Sequence, residues 1–227
     1  IKHNNGFSFG RTKSYPTNIK GDFLGFFPND LFFTWGKETA ERISRTENCI
    51  KNIVISGDHY PKISEKKKID LEKKIKKLKD SGVKFILLIL DSSYSENKKL
   101  SWQLIHTKRM ELFFSSILKF QSDNNDVGLI IKSKKKNNLK ILNNIYLKIK
   151  ELEKNNKCIF INKRNELSSH YPQLADLTVS FSPYIQGALF HCLINDKNFR
   201  GIIYDDASLK ITERKIYDSG ENKVIFT

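Results

Sequence analysis

The groups in this chain that could handle a phosphate are hydroxyls, lysines and imidazoles placed just after apolar runs. The densest set lies in residues 178–191, TVSFSPYIQGALFH, where Ser180 and Ser182 bracket the end of an apolar run. Pro183 suits the first turn of a helix, where its missing N–H is no loss. Ser182 is a natural N-cap, and the free N–H groups of a helix start, with the helix dipole, favour an anion. The plainer alternative is that Ser182 only caps its own helix.

Three more loops carry such groups. Lys132 and Lys134 follow the run VGLII, where a lysine at a strand's carboxyl end can pair with a phosphate; Lys135 and Lys136 suit plain exposure to water. Asp91, Ser92 and Ser93 follow VKFILLIL and could contact a nucleotide or sugar, although Asp and Ser are equally common as turn and cap residues. His170 follows KCIFIN and a polar stretch, and could contact a ligand or simply lie at the surface. Near the start, His3 in HNNGFSFGR could act as a general base, since imidazole titrates near neutrality; the alternative is a histidine without a role. The chain has no Walker A loop, no G-x-G-x-x-G, no G-x-S-x-G and no paired-cysteine motif, so metal catalysis has no support in the sequence.

The elements that must position these groups alternate. Strands are expected at 30–35, 52–57, 83–90, 127–132, 157–162, 174–181 and 200–206. Helices are expected at 37–45, from Ser64 to about Lys79, from about Trp102 to Phe120, at 138–153 and at 184–193. Leu71, Ile75 and Leu78 share one face of the second helix. Ile105, Leu112, Phe113, Ile117 and Phe120 form the expected stripe of the third, and Leu142, Ile145, Ile149 and Leu152 that of the fourth. The continuous apolar run 83–90 suits a central parallel strand buried on both faces. Residues 1–29 read as loop with short extended pieces. Strands alternating with helices across short connections predict an α/β fold, a doubly wound, mostly parallel Rossmann-like sheet. Ligands in such sheets bind beyond the carboxyl ends of the strands, where all of these groups except His3 are expected.

Composition agrees with a folded, basic chain. Of 227 residues, 39% are apolar, enough for a sizeable core. The formal charge of +15 is concentrated: residues 64–79 carry eight lysines against three acids, and 132–157 nine against two. Such patches attract phosphates, nucleic acid or anionic lipid, or are solvated helix faces. Three scattered cysteines fit a reducing, cytoplasmic setting better than a disulfide framework. No apolar run reaches the roughly 18 residues that cross a bilayer. The chain begins at Ile1, and its one methionine is Met110. A piece of a longer protein, lacking material at both ends, is expected.

The order of the pieces resembles the carboxyl-terminal, nucleotide-binding half of bacterial GT-B glycosyltransferases of surface polysaccharide synthesis, in the superfamily of the CDP-glycerol-type polymer transferases. The likeness covers about residues 30–226. It is carried by DLFFTWGKETAERI followed by NIVISGD, by GLIIKSKK, by ADLTVSFSPYIQGALFHCLINDKNFRGIIYDD and by YDSGENKVIF. It implies that residues 30–227 are a nucleotide-sugar-binding domain truncated at its carboxyl terminus. Residues 1–29 would be the tail of an amino-terminal acceptor domain, or a linker. It places the donor phosphates on Ser180 and Ser182, with Gln186 and Gly187, and sets Lys132 and Lys134 beside the nucleotide. His3 becomes the carried-over base, although the family's His-Gly pair is here interrupted by two Asn. The implied substrate is a CMP-, CDP- or UDP-linked sugar, with no cofactor and no metal. The implied partner is a glycan or lipid-linked acceptor, with peripheral contact at the inner face of an anionic membrane. Two other readings stand beside it: transfer of a polyol phosphate from a CDP-polyol, and a non-enzymatic basic module on nucleic acid or anionic lipid. Nucleic acid is the less favoured partner, because no aromatic-and-basic motif of an RNA-binding sheet is present.

Overall fold

The computed structural model describes residues 6–11, 28–45, 49–57, 63–95, 105–134, 138–162, 170–181 and 200–204. They belong to two compact units, Ile1–Pro61 and Lys62–Thr227.

In the first unit β1 (Phe9–Arg11), β2 (Leu31–Thr34) and β3 (Asn52–Ile55) form a parallel sheet in that order, with α1 (Lys37–Ser44) between β2 and β3. Phe32, Thr34, Thr39 and Ile43 are its buried centre. Asp30 fastens the three strand starts. Its carboxylate accepts from the Ser8 N–H at 3.0 Å, the Ser8 hydroxyl at 2.8 Å and the Lys51 ammonium at 2.8 Å. Lys51 first, then Ser8, holds this carboxyl well below the usual carboxylate range. β1 is one of the short extended pieces expected before residue 30.

The second unit contains α2 (Glu65–Asp80), β4 (Phe85–Leu90), β5 (Tyr94–Ser95), β6 (Ile105–His106), α3 (Thr107–Asp123), β7 (Val127–Lys132), α4 (Asn143–Lys154), β8 (Cys158–Ile161), β9 (Leu177–Phe181) and β10 (Gly201–Tyr204). Five strands form one all-parallel sheet in the order β10-β9-β4-β7-β8, and β5 pairs with β6. Numbered along the chain, the five strands lie 3-2-1-4-5, which is a Rossmann-like doubly wound arrangement. β4 sits at the centre, and its residues from Ile86 to Leu90 are buried on both faces, as its unbroken apolar run requires. On one face Leu87, Ile89, Leu129, Ile131 and Val179 pack against α3 and α4. On the other, Ile86, Leu88, Leu90, Ile130 and Ile159 pack against Leu71 and Leu78 of α2.

α2 buries the expected face and is stopped at Gly82, whose φ of +87° is left-handed and suits glycine. α3 differs from expectation. A short strand occupies 105–106, and the helix then runs from Thr107 to Asp123. Its buried stripe is Met110, Phe113, Phe114, Ile117, Leu118 and Gln121; Leu112 is 65% exposed and Phe120 48%. The steps of three and four from Met110 fix that phase. Leu112, two residues along, lies on the opposite side, and Phe120 at the stripe's margin. The fourth expected helix is split into a 3-10 turn, Asn138–Ile141, and α4. Leu139, Leu142, Ile145 and Ile149 are all buried, and the first steps of three between them match a 3-10 turn better than an α-helix. The last approach to β9 is likewise a 3-10 turn, Pro172–Leu174. The helix expected at 184–193 lies outside the described residues.

Candidate functional site

Sheet order locates the place for a ligand. Connections from β4 run outward through β7 to β8, and the chain then returns to the other side of β4 as β9. The order therefore reverses between β4 and β9, and the crevice at the carboxyl ends of those two strands is where open α/β sheets hold ligands.

Register places two of the sequence-derived residues there together. Ser180 pairs with Leu90, Leu90 with Lys132, and Lys132 with Ile161. Paired residues of neighbouring strands point to the same face. Leu90 and Ile161 belong to the α2 side of the core, so Lys132 and Ser180 stand on that side, one at each flank of Leu90. Two strand spacings put their backbones about 9.5 Å apart. Lys132 is 3% exposed, and its ammonium donates to the Ser133 carbonyl at 2.6 Å. Ser180 is fully buried, and its hydroxyl has no hydrogen-bond partner among the described residues. A buried polar atom left in that state is rare enough to require a reason.

The next residue of each strand turns to the α3 and α4 side. Here Asp91, 3% exposed, organises the loops. Its Oδ2 accepts from the Asn138 amide at 3.0 Å, the Ser133 hydroxyl at 3.2 Å and the Lys134 backbone N–H at 3.2 Å. Its Oδ1 accepts from the Ser92 N–H at 2.9 Å. The second hydrogen of the Asn138 amide goes to the Ser92 carbonyl at 2.8 Å. Burial pushes the Asp91 carboxyl up to about 6, against the pull of these four donors. Tyr94 lies 5% exposed a few residues on, and its phenol is pushed up by burial and then by the Asp91 charge. The Tyr94 hydroxyl has no hydrogen-bond partner among the described residues.

Beside Ser180, Phe181 closes an aromatic group. Its ring lies 5.9 Å from Tyr204 and 5.5 Å from Phe113, and the Arg109 guanidinium sits 5.3 Å above it. This cation–π contact brings an arginine of the first turn of α3 to the end of β9.

Lys132, Lys134, Asp91, Ser92 and Ser180 thus gather at the carboxyl ends of β4, β7 and β9. Ser92 and Ser93 are half-buried, and Lys134 is exposed. His170 is half-buried at the turn before Pro172, next to Tyr171, which is wholly buried on the α2 side. His3, Ser182, Gln186 and Gly187 lie outside the described residues. Asn138 and Arg109 were not singled out from the sequence, whereas Tyr94 belongs to the hydroxyl-rich stretch 91–95 that follows VKFILLIL. An Asn at the start of a helical stretch was the one available sign of the first. Arg109 gave none, because its contact depends on how α3 packs against β9.

No family model, no curated protein and no solved structure matches this chain. No group of three or more His, Cys, Asp or Glu that could hold a metal ion occurs among the described residues. Among them, too, no helix is long and apolar enough to cross a membrane. Chemically, the α2 side of the crevice offers a buried ammonium and a buried hydroxyl that lacks a partner among the described residues, the two groups an oxyanion uses.

Proposed function

We propose that the second unit binds the phosphates of a nucleotide-activated sugar, as the donor half of a GT-B glycosyltransferase for envelope polysaccharide. The observation that carries it is the Ser180–Leu90–Lys132 row at the reversal of the sheet, with a buried hydroxyl awaiting an acceptor or donor and a lysine two strands away. In glycosyl transfer the bond between the anomeric carbon and the donor phosphate oxygen breaks. A bond to the acceptor hydroxyl oxygen forms, and the acceptor's proton goes to a base. Lys132, Lys134 and the Ser180 hydroxyl would stabilise charge on the departing phosphate, which is the largest demand of such a step. Ser182, Gln186 and Gly187 are proposed to share that role, and His3 to be the base. The nucleotide is CMP-, CDP- or UDP-linked, the acceptor a glycan or lipid-linked glycan.

A thermal-shift panel of CMP, CDP, UDP and GDP on the whole chain tests this. Binding to the folded state raises the midpoint. At least one nucleotide is expected to do so in the native chain, and the rise is expected to shrink in Ser180→Ala. A midpoint that none of the four moves rejects the proposal. Product analysis then separates sugar transfer from polyol-phosphate transfer, since only the latter leaves a phosphodiester linkage.

One observation favours a membrane surface as a further partner. Lys66, Lys73, Lys76 and Lys77 are exposed on the outer side of α2, around Ile69, which is 49% exposed. Glu65 and Glu72 share that face, but lysines outnumber them, and an apolar residue in a mainly basic surround suits the boundary of an anionic bilayer. Flotation with and without anionic lipid tests it, and equal recovery from both removes the membrane from the account.

A further inference from the structure

We propose that Asp91 is a positioning residue, a clasp that holds Ser133 and Lys134 at the end of β7 to Asn138 at the start of the 3-10 turn and thereby sets where Lys134 stands at the crevice. Only the use of that lysine, to meet a phosphate, rests on the proposed donor-binding reading.

The geometry is of one oxygen serving two ends of one turn. Oδ2 takes the Ser133 hydroxyl and the Lys134 N–H from where the chain leaves β7, and the Asn138 amide from where the 3-10 turn begins. Residues 134 and 138 are thus gathered onto a single atom of the neighbouring strand end. Asn138 also holds the Ser92 carbonyl, so the same side chain fixes the β4 loop. All four donors to the carboxylate are neutral, and no ion pair joins it among the described residues. A buried carboxylate held by neutral donors alone is costly, and packing by itself gives no reason to keep one. Tying two catalytic-end loops to one central strand does give a reason.

The clasp has a chemical weakness. A hydrogen bond to an ionised carboxylate is about twice as strong as one to a neutral acid. Burial brings the Asp91 proton within reach of mild acid, at about 6. Among the described residues, the charged or titratable groups on the surrounding elements are Lys132 and Lys134 at the end of β7, Tyr94 in β5, His106 in β6, Lys108, Arg109 and Glu111 in the first turns of α3, and Lys140 in the 3-10 turn. An imidazole ordinarily titrates in the same interval as this carboxyl, so His106 needs its own control. Among the described residues, the carboxyl end of β9 contributes Ser180 and Phe181, neither of them ionisable. Loosening in that interval belongs to Asp91 where His106→Gln keeps the pH dependence and Asp91→Asn removes it.

Amide hydrogen exchange on the full chain, corrected for the intrinsic pH dependence of exchange, tests this directly. In the native chain, peptides covering 133–138 are expected to exchange about tenfold faster at pH 5 than at pH 7.5, while those covering 85–90 stay protected. Asp91→Asn is expected to show the fast rate at both values. Asn138→Ala, which removes one donor and keeps the carboxylate, is the second variant; it is expected to loosen the same peptides at pH 7.5. Equal protection of 133–138 at both pH values in the native chain overturns the proposal, as does an Asn138→Ala chain as protected as the native one. Nucleotide-induced thermal shifts at the two pH values form a separate arm. A native chain that responds to no nucleotide sinks the donor-binding reading and leaves the clasp standing. Unchanged exchange sinks the clasp and leaves the donor-binding reading standing.

Discussion

Ser180 stands beside Leu90 across the parallel β4–β9 pair, fully buried, with a hydroxyl that finds no hydrogen-bond partner among the described residues. Leu90 is the last residue of the central strand, and the pair straddles the point where strand order reverses. A serine here has no packing advantage over alanine and carries the desolvation cost of an unpaired hydroxyl.

Ser180→Ala is therefore expected to leave the unfolding free energy unchanged or raise it, by up to about 1 kcal/mol. Chemical denaturation measures this. A loss of more than about 1 kcal/mol would mean that the hydroxyl is structural, and would remove the reason for placing a phosphate on it.

Asp91 makes a prediction with the opposite sign to the usual carboxylate. Its native value of about 6 lies above the ordinary 3.8, so the folded chain holds this proton more tightly than the unfolded chain. The contribution is fully present below about 3.8 and is lost as pH rises to about 6, a change of roughly 3 kcal/mol for a shift of this size. Acid thus relieves the burial of charge while it weakens the bonds on Oδ2, so global stability and loop fastening move in opposite directions. Urea unfolding of the native chain and Asp91→Asn across pH 4 to 7.5 isolates the term. The native chain is expected to lose stability relative to the variant as pH rises. A difference that stays constant over the range contradicts the assignment.

Gly128 lies in β7, and a methyl group there would meet Val83 Cγ1 at 2.7 Å and Cγ2 at 3.0 Å. Val83 is buried between α2 and the sheet and has little room to withdraw. Gly128→Ala is expected to cost about 1–3 kcal/mol by overpacking, with nucleotide response retained in the folded fraction. Thermal unfolding measures the cost, and a variant as stable as the native chain would show that Val83 moves freely.

Neighbouring positions in α3 should differ sharply. Phe113 is wholly buried and touches Phe114, Phe181 and Tyr204 edge-on, whereas Leu112 is 65% exposed. Phe113→Ala is expected to cost about 3–5 kcal/mol and Leu112→Ala less than about 0.5. Paired denaturation curves decide it; similar costs at both positions would mean the helix is rotated from the phase described.

That contrast also shows how far the sequence was legible. The fold class followed from alternation of strands and helices, and VKFILLIL was recognisable as the central strand because nothing polar interrupts it. The phase of α3 was not legible, because Leu112, Phe113, Phe114, Ile117 and Phe120 supply apolar residues around most of the helix. Only packing against Phe181 and Tyr204 selects among them. Lys132 and Ser180 were visible as strand-end residues, but their common row required register, which depends on pairing between distant segments. Asn138 was hidden for a similar reason. Its partner Asp91 is 47 residues away, and the contact exists only once β4 and β7 are neighbours.

The most direct measurement is a titration of the full chain with CDP and UDP, alongside the double variant Lys132→Met with Ser180→Ala. Methionine keeps the length and burial of the lysine stem without its charge, so the fold is expected to survive. The account predicts saturable binding of at least one diphosphate nucleotide by the native chain, and affinity at least tenfold weaker in a folded double variant. Binding of equal strength in the two chains, or none in the native chain, contradicts the placement of the donor phosphates on the Ser180–Leu90–Lys132 row.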